Sequence, residues 1–524
     1  MLLPHGDVAQ GPTGVGLPWN EVLRLLPSAR VVGGSPRTAL VGIATHTRDV
    51  RPGTLFACLP GTSGDGHRFG AIAQHLGACA LLVERFLPEC AELPQIEVRD
   101  ARSAVALLAR ALHGFPDRHL HLIAVTGTNG KTTTTFLIEA IFRAAGMPLG
   151  LLGTVAYKLG SREIPASLTT PDAVHLASYL AEIRGVGLHG AVLEASSHAL
   201  AQGRISGFEI DTAIFTNLAR DHWDYHGGAL PYFQAKKRLF EPRGGHKPFP
   251  ALAVVCVDQW AGRELARQVA PYRQVATFGL QTPADFTARW QPLPTGGLLV
   301  VRSGQQIWPF VVPLLGEYNA QNALAAVTTA LVHGIEPEAI ARGLATVPPV
   351  PGRMEAIDGG QPFAVLVDFA HNPAGLLQAL RVARAKQPRR LILVFGCKGG
   401  DGDAVKRRLM GRVAAQGADL VLLTTDDPYG EDPGLIATEV ARGLEGTATP
   451  YRVILDRREA IEEAIATAAE GDLVLVAGRG HEAFQPVADG KAPLDDRAVC
   501  REAIAQRTGS RHTPAMVEFS ARGG

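Results

Sequence analysis

The chain has 524 residues, of which 46% are hydrophobic, 19% charged and 6% aromatic. This composition excludes an intrinsically disordered chain, and at roughly 150 residues per domain the length predicts about three domains. Lys and Arg number 51 against 50 Asp and Glu, so the formal charge is +1. This balance excludes a chain-wide surface for nucleic acid or for anionic membranes.

The cysteines and the N-terminal region indicate a cytoplasmic protein. The six cysteines lack CxxC spacing and lie mostly in apolar runs, as the thiols of a reducing compartment do. The N-terminal region has no signal-peptide pattern, and no apolar run approaches the roughly 18 residues that span a bilayer. We therefore expect a cytoplasmic enzyme without membrane insertion.

The first part of the chain predicts a small α/β domain. Residues 1–18 are rich in Gly and Pro and are interpreted as a flexible lead-in. A Gly-Phe-Pro break at 114–116 ends the domain, which we place at 19–116. Short apolar runs predict strands at 40–44, 54–59 and 80–83, and helical patterns predict helices at 69–76 and 101–112.

Two further α/β domains follow. Apolar strands separated by helical stretches predict a parallel sheet covered on both faces over 117–349, and a Pro-rich cluster at 347–352 indicates a hinge. The alternation then restarts and predicts a third domain over 350–508, followed by a flexible tail at 509–524. The predicted strands lie at 121–125, 191–194, 212–215, 252–257, 364–367, 391–395, 420–423 and 473–477.

A phosphate-binding loop follows the strand at 121–125. A strand, a Gly-rich turn and a helix N-terminus together present backbone N–H groups to phosphates. Lys131 would reach the β- and γ-phosphates of ATP, and Thr132 would offer a hydroxyl to Mg²⁺. Val125 stands where the common GxxxxGK[ST] pattern has its first Gly. The loop consists of Gly127, Thr128, Asn129, Gly130, Lys131, Thr132 and Thr133.

This loop and seven further motifs resemble the Mur ligases, which join amino acids to the cell-wall precursor, and the loop is shared with the related folylpolyglutamate synthetases. The match is best to the branch that adds the third residue to UDP-N-acetylmuramoyl-L-Ala-D-Glu. The resemblance implies an α/β protein with a small UDP-binding domain, a central P-loop ATPase domain with a parallel sheet, and a C-terminal Rossmann-like domain. The motifs begin at Glu194, Asn217, Ala235, Asn319, Pro351, Asp368 and Gly478.

The resemblance also implies the catalytic and metal-binding residues. It implies Mg²⁺ ligation by Thr132, Glu194, His222 and Lys236, with Lys236 carbamylated by CO₂ to supply a further anion. Taken alone, Glu194 is typical of a solvated strand end, and Lys236 with the two basic residues after it is typical of a solvated helix face. The implied catalytic residues are Lys131, Glu194, His222, Lys236 and Arg353.

The nucleotide and precursor sites follow from the same resemblance. Arg353, after the apparent hinge, would add a cation at the γ-phosphate, and Asn322 would face the adenine. Asp368 and His371 would lie at the ribose. His46 stands where an Asp is usual in the family. The implied precursor contacts are Thr47, Thr169, Thr170, Ser196, Gln202 and Arg204.

The amino-acid segment departs from the pattern of relatives that add meso-diaminopimelate. Their Asp-Asn-Pro-Arg is replaced here by Asp426, Asp427, Pro428 and Tyr429, and an upstream Asp-Arg-Asp is replaced by Asp401, Gly402 and Asp403 after an extra Lys398. Both arginines suited to a distal carboxylate are therefore missing, whereas Asp426, Asp427, Glu431 and Asp432 suit a distal ammonium. The sequence predicts L-lysine or L-ornithine, and meso-diaminopimelate stays open because Lys398, Arg407 or Arg479 would also pair with a carboxylate. Gly478 and Glu482 complete the implied pocket.

The predicted function is ATP-dependent amide ligation through an acyl phosphate in peptidoglycan synthesis, carried out by a monomer. The partners are the UDP-N-acetylmuramoyl dipeptide and a free diamino acid, with no nucleic acid. One alternative is a folylpolyglutamate synthetase-like ligase, against which the complete first domain argues. The other is a non-catalytic ATP-binding sensor of the precursor, against which the joint presence of Lys131, Glu194, His222 and Lys236 argues.

Overall fold

The computed structural model describes residues 16–35, 38–61, 64–241, 251–400, 403–487 and 490–509. Most of the predicted lead-in, the predicted tail from residue 510, and Asp401 with Gly402 lie outside these ranges. None of the helices in the described ranges combines the length and hydropathy that a bilayer crossing requires. All six cysteines are free thiols, as expected.

The N-terminal body is a five-stranded sheet with the order β1-β5-β4-β3-β2, in which β1 runs antiparallel to the other strands. Helix α3 covers the predicted residues 101–112, because the Asp100 side chain caps its first turn by accepting a hydrogen bond from the Ser103 N–H. The elements are β1 (Arg30–Gly33), β2 (Gly42–Ala44), β3 (Thr54–Ala57), β4 (Ala80–Val83), β5 (Pro94–Glu97), α1 (Trp19–Leu25), α2 (Gly70–His75) and α3 (Ala101–Leu112).

The central body is an 11-stranded sheet with the order β16-β15-β14-β13-β12-β11-β6-β10-β7-β8-β9. Its strands are β6 (His121–Thr126), β7 (Leu149–Leu152), β8 (Ala156–Lys158), β9 (Glu163–Pro165), β10 (Gly190–Glu194), β11 (Thr212–Phe215), β12 (Leu252–Cys256), β13 (Gln274–Gly279), β14 (Phe286–Leu293), β15 (Gly296–Ser303) and β16 (Gln306–Val312). Its helices are α4 (Lys131–Ala144), α5 (Ala173–Gly185), α6 (Ser197–Ala201), α7 (Trp223–His226), α8 (Ala229–Lys237), α9 (Trp260–Val269), α10 (Glu317–Val332) and α11 (Pro337–Ala345).

The centre of this sheet is parallel and buried on both faces, which confirms the predicted arrangement. Along β6, Leu122 and Ala124 pack into one hydrophobic core, whereas Ile123 and Val125 pack into the core on the opposite face. The sequence did not predict the antiparallel strands that extend both edges, β8 and β9 on one side and β15 and β16 on the other.

The C-terminal body is a six-stranded sheet with the order β17-β18-β22-β19-β20-β21, parallel except for β17. Its strands are β17 (Glu355–Ala356), β18 (Ala364–Asp368), β19 (Leu391–Phe395), β20 (Leu420–Leu423), β21 (Tyr451–Val453) and β22 (Leu473–Ala477), with a separate antiparallel pair of β23 (Phe484–Val487) and β24 (Gly490–Pro493). Its helices are α12 (Pro373–Ala385), α13 (Ala404–Gly417), α14 (Pro433–Ala441), α15 (Arg457–Thr467) and α16 (Asp496–Thr508).

The carboxyl edges of the two larger sheets carry the predicted site residues. The phosphate loop follows β6 and Glu194 ends β10, whereas Asp368 ends β18 and Asp426 follows β20. Ligands of open α/β sheets bind at this edge. The topology therefore positions both sets of residues where ligands can reach them.

A buried ion pair joins the last two helices of the C-terminal body. The Nε and Nη2 atoms of Arg457 on α15 lie 2.8 and 2.7 Å from the carboxylate oxygens of Asp496 on α16, and both side chains are fully buried. The next residue, Arg458, pairs with Glu502 across the same two helices, but both of those side chains are about half exposed.

We expect the Asp496→Asn substitution to lower the unfolding free energy of the C-terminal body by about 3–5 kcal/mol, because Arg457 would stay buried without its bidentate carboxylate. The control Glu502→Gln breaks the exposed pair and is expected to cost at most about 1 kcal/mol. Urea unfolding followed by circular dichroism measures both. Equal losses of unfolding free energy in the two variants would contradict the stronger contribution expected from the buried pair of Arg457 and Asp496.

Candidate functional site

The phosphate loop turns sharply at two glycines. Gly127 and Gly130 have positive φ values of 145° and 87°. A Cβ on Gly127 would lie 1.9 Å from Thr216 Oγ1, and one on Gly130 would lie 2.1 Å from Asn322 Oδ1. Only glycine fits either position, and the predicted nucleotide residue Asn322 packs directly against the loop.

Neighbouring groups hold the loop in place before helix α4 begins at Lys131. The backbone N–H groups of Thr128 and Asn129 donate to the backbone and side-chain oxygens of Asn217 at 2.9 and 3.0 Å. Lys131 Nζ donates to the carbonyl oxygens of Gly127 and Thr128 at 3.1 and 2.9 Å. Burial lowers the pKa of Lys131, while Glu194 and Asp221 oppose that shift. The ammonium therefore lies beside the loop where phosphates would bind. Thr133 is buried in the first turn of α4.

Glu194 is a buried acceptor and not a solvated strand end. It is 1% exposed. Its Oε2 accepts hydrogen bonds from Thr132 Oγ1 and Thr154 Oγ1, both at 3.0 Å, and its Oε1 accepts one from the Thr154 N–H at 2.8 Å. Thr132 and Glu194 thus present two adjacent oxygen ligands at the loop, the ligand type that Mg²⁺ prefers.

Lys236 is also buried, so the solvated-face interpretation is wrong for it. The side chain is 1% exposed on α8, and Nζ donates to the Gly127 carbonyl at 2.7 Å and lies 4.4 Å from the centre of the Tyr232 ring. Burial, and then the nearby Lys131 ammonium, lower the pKa of Lys236 well below its usual value. Protonation of Lys236 is therefore disfavoured relative to that of an exposed lysine, which favours the free amine.

His222 lies in a strained backbone conformation at the start of α7. Its φ is 53°, which is uncommon outside glycine, and its Nε2 lies 3.6 Å from Asp221 Oδ2. Its ring packs edge-on against His198 with ring centres 4.7 Å apart. Burial lowers the pKa of His222 to about 3, so the imidazole is neutral and one of its two ring nitrogens keeps a lone pair for a metal.

Five of the six predicted precursor residues form one network beside Glu194. Thr170 Oγ1 donates to the Glu194 carbonyl at 2.7 Å and accepts from the Ser196 N–H at 3.0 Å. The Arg204 guanidinium donates to Gln202 Oε1 and to the Thr170 carbonyl, and Thr154 Oγ1 donates to Thr169 Oγ1 at 3.2 Å. These hydroxyl, amide and guanidinium groups suit an anionic, polar ligand.

Thr47 lies apart from this network, in the N-terminal body. It begins a short 3₁₀ turn, Thr47–Asp49, for which the His46 side chain accepts a hydrogen bond from the Arg48 N–H at 3.3 Å. His46 therefore caps the turn, a role that Asp commonly performs.

The C-terminal body contacts the phosphate loop directly. Arg353 Nη2 donates to Thr132 Oγ1 at 3.0 Å, and the guanidinium lies 4.5 Å above the Phe369 ring. Asn372, which caps α12, donates to Asn129 Oδ1 at 3.1 Å. A phosphate chain on the loop would therefore meet Arg353 as well as Lys131.

Asp368 and His371 hold the turn after β18. The Asp368 carboxylate accepts hydrogen bonds from the backbone N–H groups of Met354 and Ala370 at 2.8 and 2.9 Å, and burial raises its pKa. His371 Nδ1 lies 2.9 Å from the Phe369 carbonyl oxygen. Their contact with a ribose stays a prediction.

The predicted amino-acid pocket contains three clustered carboxylates and two paired cations. Ligand atoms of Asp426, Asp427 and Glu482 lie within 4.8 Å of one another. Lys398 Nζ lies 2.8 Å from Asp427 Oδ2 and 3.3 Å from Glu482 Oε1, and Arg479 pairs with Asp427. Burial alone would lower the pKa of Lys398, but these carboxylates raise it above its usual range. The pocket is therefore occupied by internal ion pairs.

The Asp426 carboxylate in this pocket has unused capacity to accept hydrogen bonds. Both oxygens of the fully buried Asp426 accept no hydrogen bond within the described part of the chain. Burial alone would raise the pKa of Asp426, but Lys398, Arg457 and Arg479 lower it below its usual value, so it is ionised.

Tyr429 follows with φ 47° and a side chain that is 57% exposed. Pro428 lies between them, and the Gly478 N–H donates to the Asp368 carbonyl at 3.0 Å.

Other acidic and basic residues that the sequence suggested for this pocket have structural roles. Glu431 accepts two hydrogen bonds from the Arg407 guanidinium, which also pairs with Glu439. Asp432 caps α14 by accepting from the Gly434 N–H at 2.7 Å. The charges of Glu431, Asp432 and Arg407 are thus already paired or used in a cap, and their contact with the amino acid stays a prediction.

Sequence reasoning missed three residues of the site. Thr154, which binds Glu194 through two atoms, lies after β7 in a segment without any recognised motif. Asn372 and Lys406 reach the central body from the C-terminal body. Asn372 lies four residues into the motif that begins at Asp368, so a signal was present for it, whereas Lys406 belongs to no recognised motif.

Family models match three consecutive regions of the chain. The model described as Mur ligase family, catalytic domain, matches residues 40–113, the Mur ligase middle domain matches 125–330, and the Mur ligase, glutamate ligase domain, matches 352–480.

Individual proteins are similar over most of the chain. The UDP-N-acetylmuramoyl-L-alanyl-D-glutamate–2,6-diaminopimelate ligases of Solibacter usitatus and Geobacillus thermodenitrificans are 42% and 41% identical, over 89% and 91% of this chain and 94% and 96% of their own. A solved structure of a ligase with the same name is 31% identical with a TM-score of 0.62, and covers 94% of this chain and 99% of its own. Folylpolyglutamate synthase of Mycobacterium tuberculosis shares the fold, with a TM-score of 0.58 and 20% identity over 79% of this chain and 96% of its own.

The phosphate loop, the buried Glu194 and the contact from Arg353 agree with these matches, which extend across all three bodies of the structure. The chain belongs to the Mur ligase family of ATP-dependent acid–amino-acid ligases.

Proposed function

We propose that this chain joins a diamino acid to UDP-N-acetylmuramoyl-L-alanyl-D-glutamate, converting ATP to ADP and phosphate, as a cytoplasmic monomer in peptidoglycan synthesis. The observation that supports this most is the meeting of Thr132, Glu194 and Arg353 at the phosphate loop, at distances of 3.0 Å. The predicted precursor network contacts Glu194 through Thr170, and Lys398 of the predicted amino-acid pocket lies 5.7 Å from the centre of the Phe369 ring that Arg353 also contacts. We assign UDP anchoring to 19–116, ATP chemistry to 117–349 and amino-acid capture to 350–508.

In the first step the D-Glu γ-carboxylate attacks the γ-phosphorus in line, and ADP leaves. Negative charge spreads over the transferring phosphoryl group, so cations fixed nearby stabilise the transition state. Lys131 and Arg353 are the two cations that the loop and the C-terminal body bring together. The product of this step is an acyl phosphate.

In the second step the α-amine of the diamino acid attacks the acyl carbon, and inorganic phosphate leaves as the amide forms. Water would hydrolyse the acyl phosphate, so the two bodies must exclude it. The direct contacts of Arg353 and Asn372 with the loop support such a closed arrangement.

The residues present fit a divalent cation at this point. Thr132, Glu194, His222 and a carbamylated Lys236 would hold Mg²⁺, which neutralises phosphate charge when bound. The buried pair of Thr132 and Glu194 oxygens supports oxygen ligation. The lowered pKa of Lys236 supports a free amine that reacts with CO₂.

We propose L-lysine or L-ornithine as the preferred diamino acid. Tyr429, with its exposed side chain, replaces the arginine that would bind a distal carboxylate, and Asp426 holds a negative charge without a hydrogen-bond donor in the described part of the chain. Lys398 competes with a substrate ammonium because it already pairs with Asp427 and Glu482. The similar ligases named above carry 2,6-diaminopimelate in their names, so a direct comparison of the amino acids is decisive.

The first test is ADP release by the purified chain with ATP and Mg²⁺. We expect release only when both the UDP-N-acetylmuramoyl dipeptide and a diamino acid are added, because each half-reaction needs its own acceptor. A reduced folate with glutamate in their place should give none. Release with folate would favour the folylpolyglutamate alternative, and no release with any acceptor would favour the non-catalytic sensor.

The second test compares the three diamino acids. We expect kcat/KM for L-lysine or L-ornithine to exceed that for meso-diaminopimelate at least about tenfold, the factor that about 1.4 kcal/mol supplies. The Lys398→Met variant should widen this ratio, because it removes a cation that competes with the ligand ammonium for Asp427 and Glu482. Lys386→Met, which removes an exposed lysine at the end of α12, is the control. A higher kcat/KM for meso-diaminopimelate in the unmodified chain would overturn the preference.

The third test concerns Lys236. We expect Lys236→Ala to lower kcat by about 10²–10³, the usual effect of removing one preorganised electrostatic group. Short carboxylic acids should partly restore activity by replacing the carbamate. The neighbouring Lys237→Ala, which removes only a surface pair with Glu241 at 3.7 Å, should leave activity unchanged. An unaffected Lys236→Ala enzyme would exclude the carbamate.

A further inference from the structure

We infer that Asp221 is a positioning residue that holds the C-terminal body against the phosphate loop. It lies on the segment between β11 and α7 in the central body, and it is 2% exposed. Three side chains from the C-terminal body surround its carboxylate. We call Asp221, His371, Asn372 and Lys406 together the clasp.

The contacts of the clasp use both carboxylate oxygens. Lys406 Nζ donates to Oδ1 at 3.3 Å, and Asn372 Nδ2 donates to Oδ2 at 3.4 Å. His371 Nε2 also lies 3.3 Å from Oδ2. The Asp221 and Lys406 side chains are 3% and 5% exposed, so this ion pair is buried between the two bodies.

The clasp is connected to the parts of the site that perform chemistry. Asn372 Nδ2 lies within hydrogen-bonding distance of Asp221 and of Asn129 Oδ1 in the phosphate loop. The next residue after Asp221 is His222, whose Nε2 lies 3.6 Å from the same carboxylate. Asp221 therefore contacts the C-terminal body and directly precedes the predicted metal ligand His222.

A second ion pair lies beside the clasp and crosses the same boundary. Arg220 Nη2 donates to Asp403 Oδ1 at 2.8 Å, and the Asp403 side chain also accepts from the Lys406 N–H at 2.9 Å as the cap of α13. Asp403 thereby fixes the first turn of the helix that carries Lys406. The two pairs alternate in sign along the boundary, which favours one relative placement of the bodies.

The charges of the clasp affect the free energy of packing the two bodies together more than the folding of either body. If the bodies separate, water solvates Asp221 and Lys406 individually. If they close after one partner has been neutralised, the other charge loses its buried partner across the boundary, which costs far more than the loss of an exposed pair. Each single substitution should therefore penalise closure, and neutralising both partners should remove most of that penalty.

The experiment uses the full chain with Asp221→Asn, Lys406→Met, the double variant, and Lys406→Arg, which keeps the charge. Small-angle scattering with the nonhydrolysable analogue AMPPNP and Mg²⁺ measures closure. Steady-state ligation measures kcat and KM, and thermal unfolding without nucleotide measures folding. Asp419→Asn is the matched control, because Asp419 forms a half-exposed pair with Arg384 within the C-terminal body.

We expect each single neutralisation to lower kcat at least about tenfold and to leave the nucleotide complex more expanded than the unmodified chain. In the Asp221→Asn background, Lys406→Met should lower kcat less than about threefold further, the sign of direct coupling between the two residues. Lys406→Arg and Asp419→Asn should retain most of the activity. Melting temperatures close to that of the unmodified chain should accompany these changes.

Two results would overturn the inference. One is that the fold-loss of kcat in the double variant equals the product of the fold-losses in the two single variants. The other is that the single variants are as compact with AMPPNP as the unmodified chain, or lose activity only in proportion to a lower melting temperature. The kinetic arm rests on the proposed function, but the scattering arm needs only the nucleotide. An unmodified chain that closes without ligating would therefore contradict the proposed function and leave the clasp supported.

Discussion

The Gly127 carbonyl oxygen is the shared acceptor that holds two lysines, Lys131 and Lys236, close together at the phosphate loop. The turn at Gly127 can approach Thr216 so closely only because it lacks a Cβ. Its carbonyl then accepts hydrogen bonds from both Lys131 and Lys236. Burial, and then the charge of the nearby Lys131 ammonium, disfavour protonation of Lys236 and so lower its pKa. A backbone turn thus places the Lys131 ammonium beside a side chain more than 100 residues away along the chain.

The net charge of +1 conceals a series of buried charges, most of which are paired locally. Arg457 pairs with Asp496 inside the C-terminal body, whereas Asp221 pairs with Lys406 between bodies. Buried pairs of this kind add little to stability compared with an apolar core, but they penalise any arrangement that separates them without water. They therefore specify how the bodies pack more than how tightly each one folds.

Local sequence patterns were sufficient for much of the fold and for the loop. Helix α3 has its Asp cap at residue 100 and a Gly-Phe-Pro break after it, so both ends could be predicted. The antiparallel edge strands could not be predicted because their partners are set by the neighbouring sheet edge. The burial of Lys236 was also hidden, since three consecutive basic residues resemble a solvated face. Lys398 and Glu482 are 84 residues apart, so their pairing required the folded topology.

The residues of the site are translated in an order that separates the phosphate loop from its partners in the C-terminal body. The phosphate loop, Glu194 and His222 are all translated before residue 350, whereas Arg353 and Lys406 follow it. A ribosome-bound chain therefore contains a complete nucleotide loop well before the cation that reaches Thr132 from the C-terminal body has folded into place. Phosphoryl transfer that uses Arg353, as proposed, must therefore await translation and folding of the C-terminal body. A chain that ended before residue 353 would carry the phosphate loop without the cation that contacts Thr132.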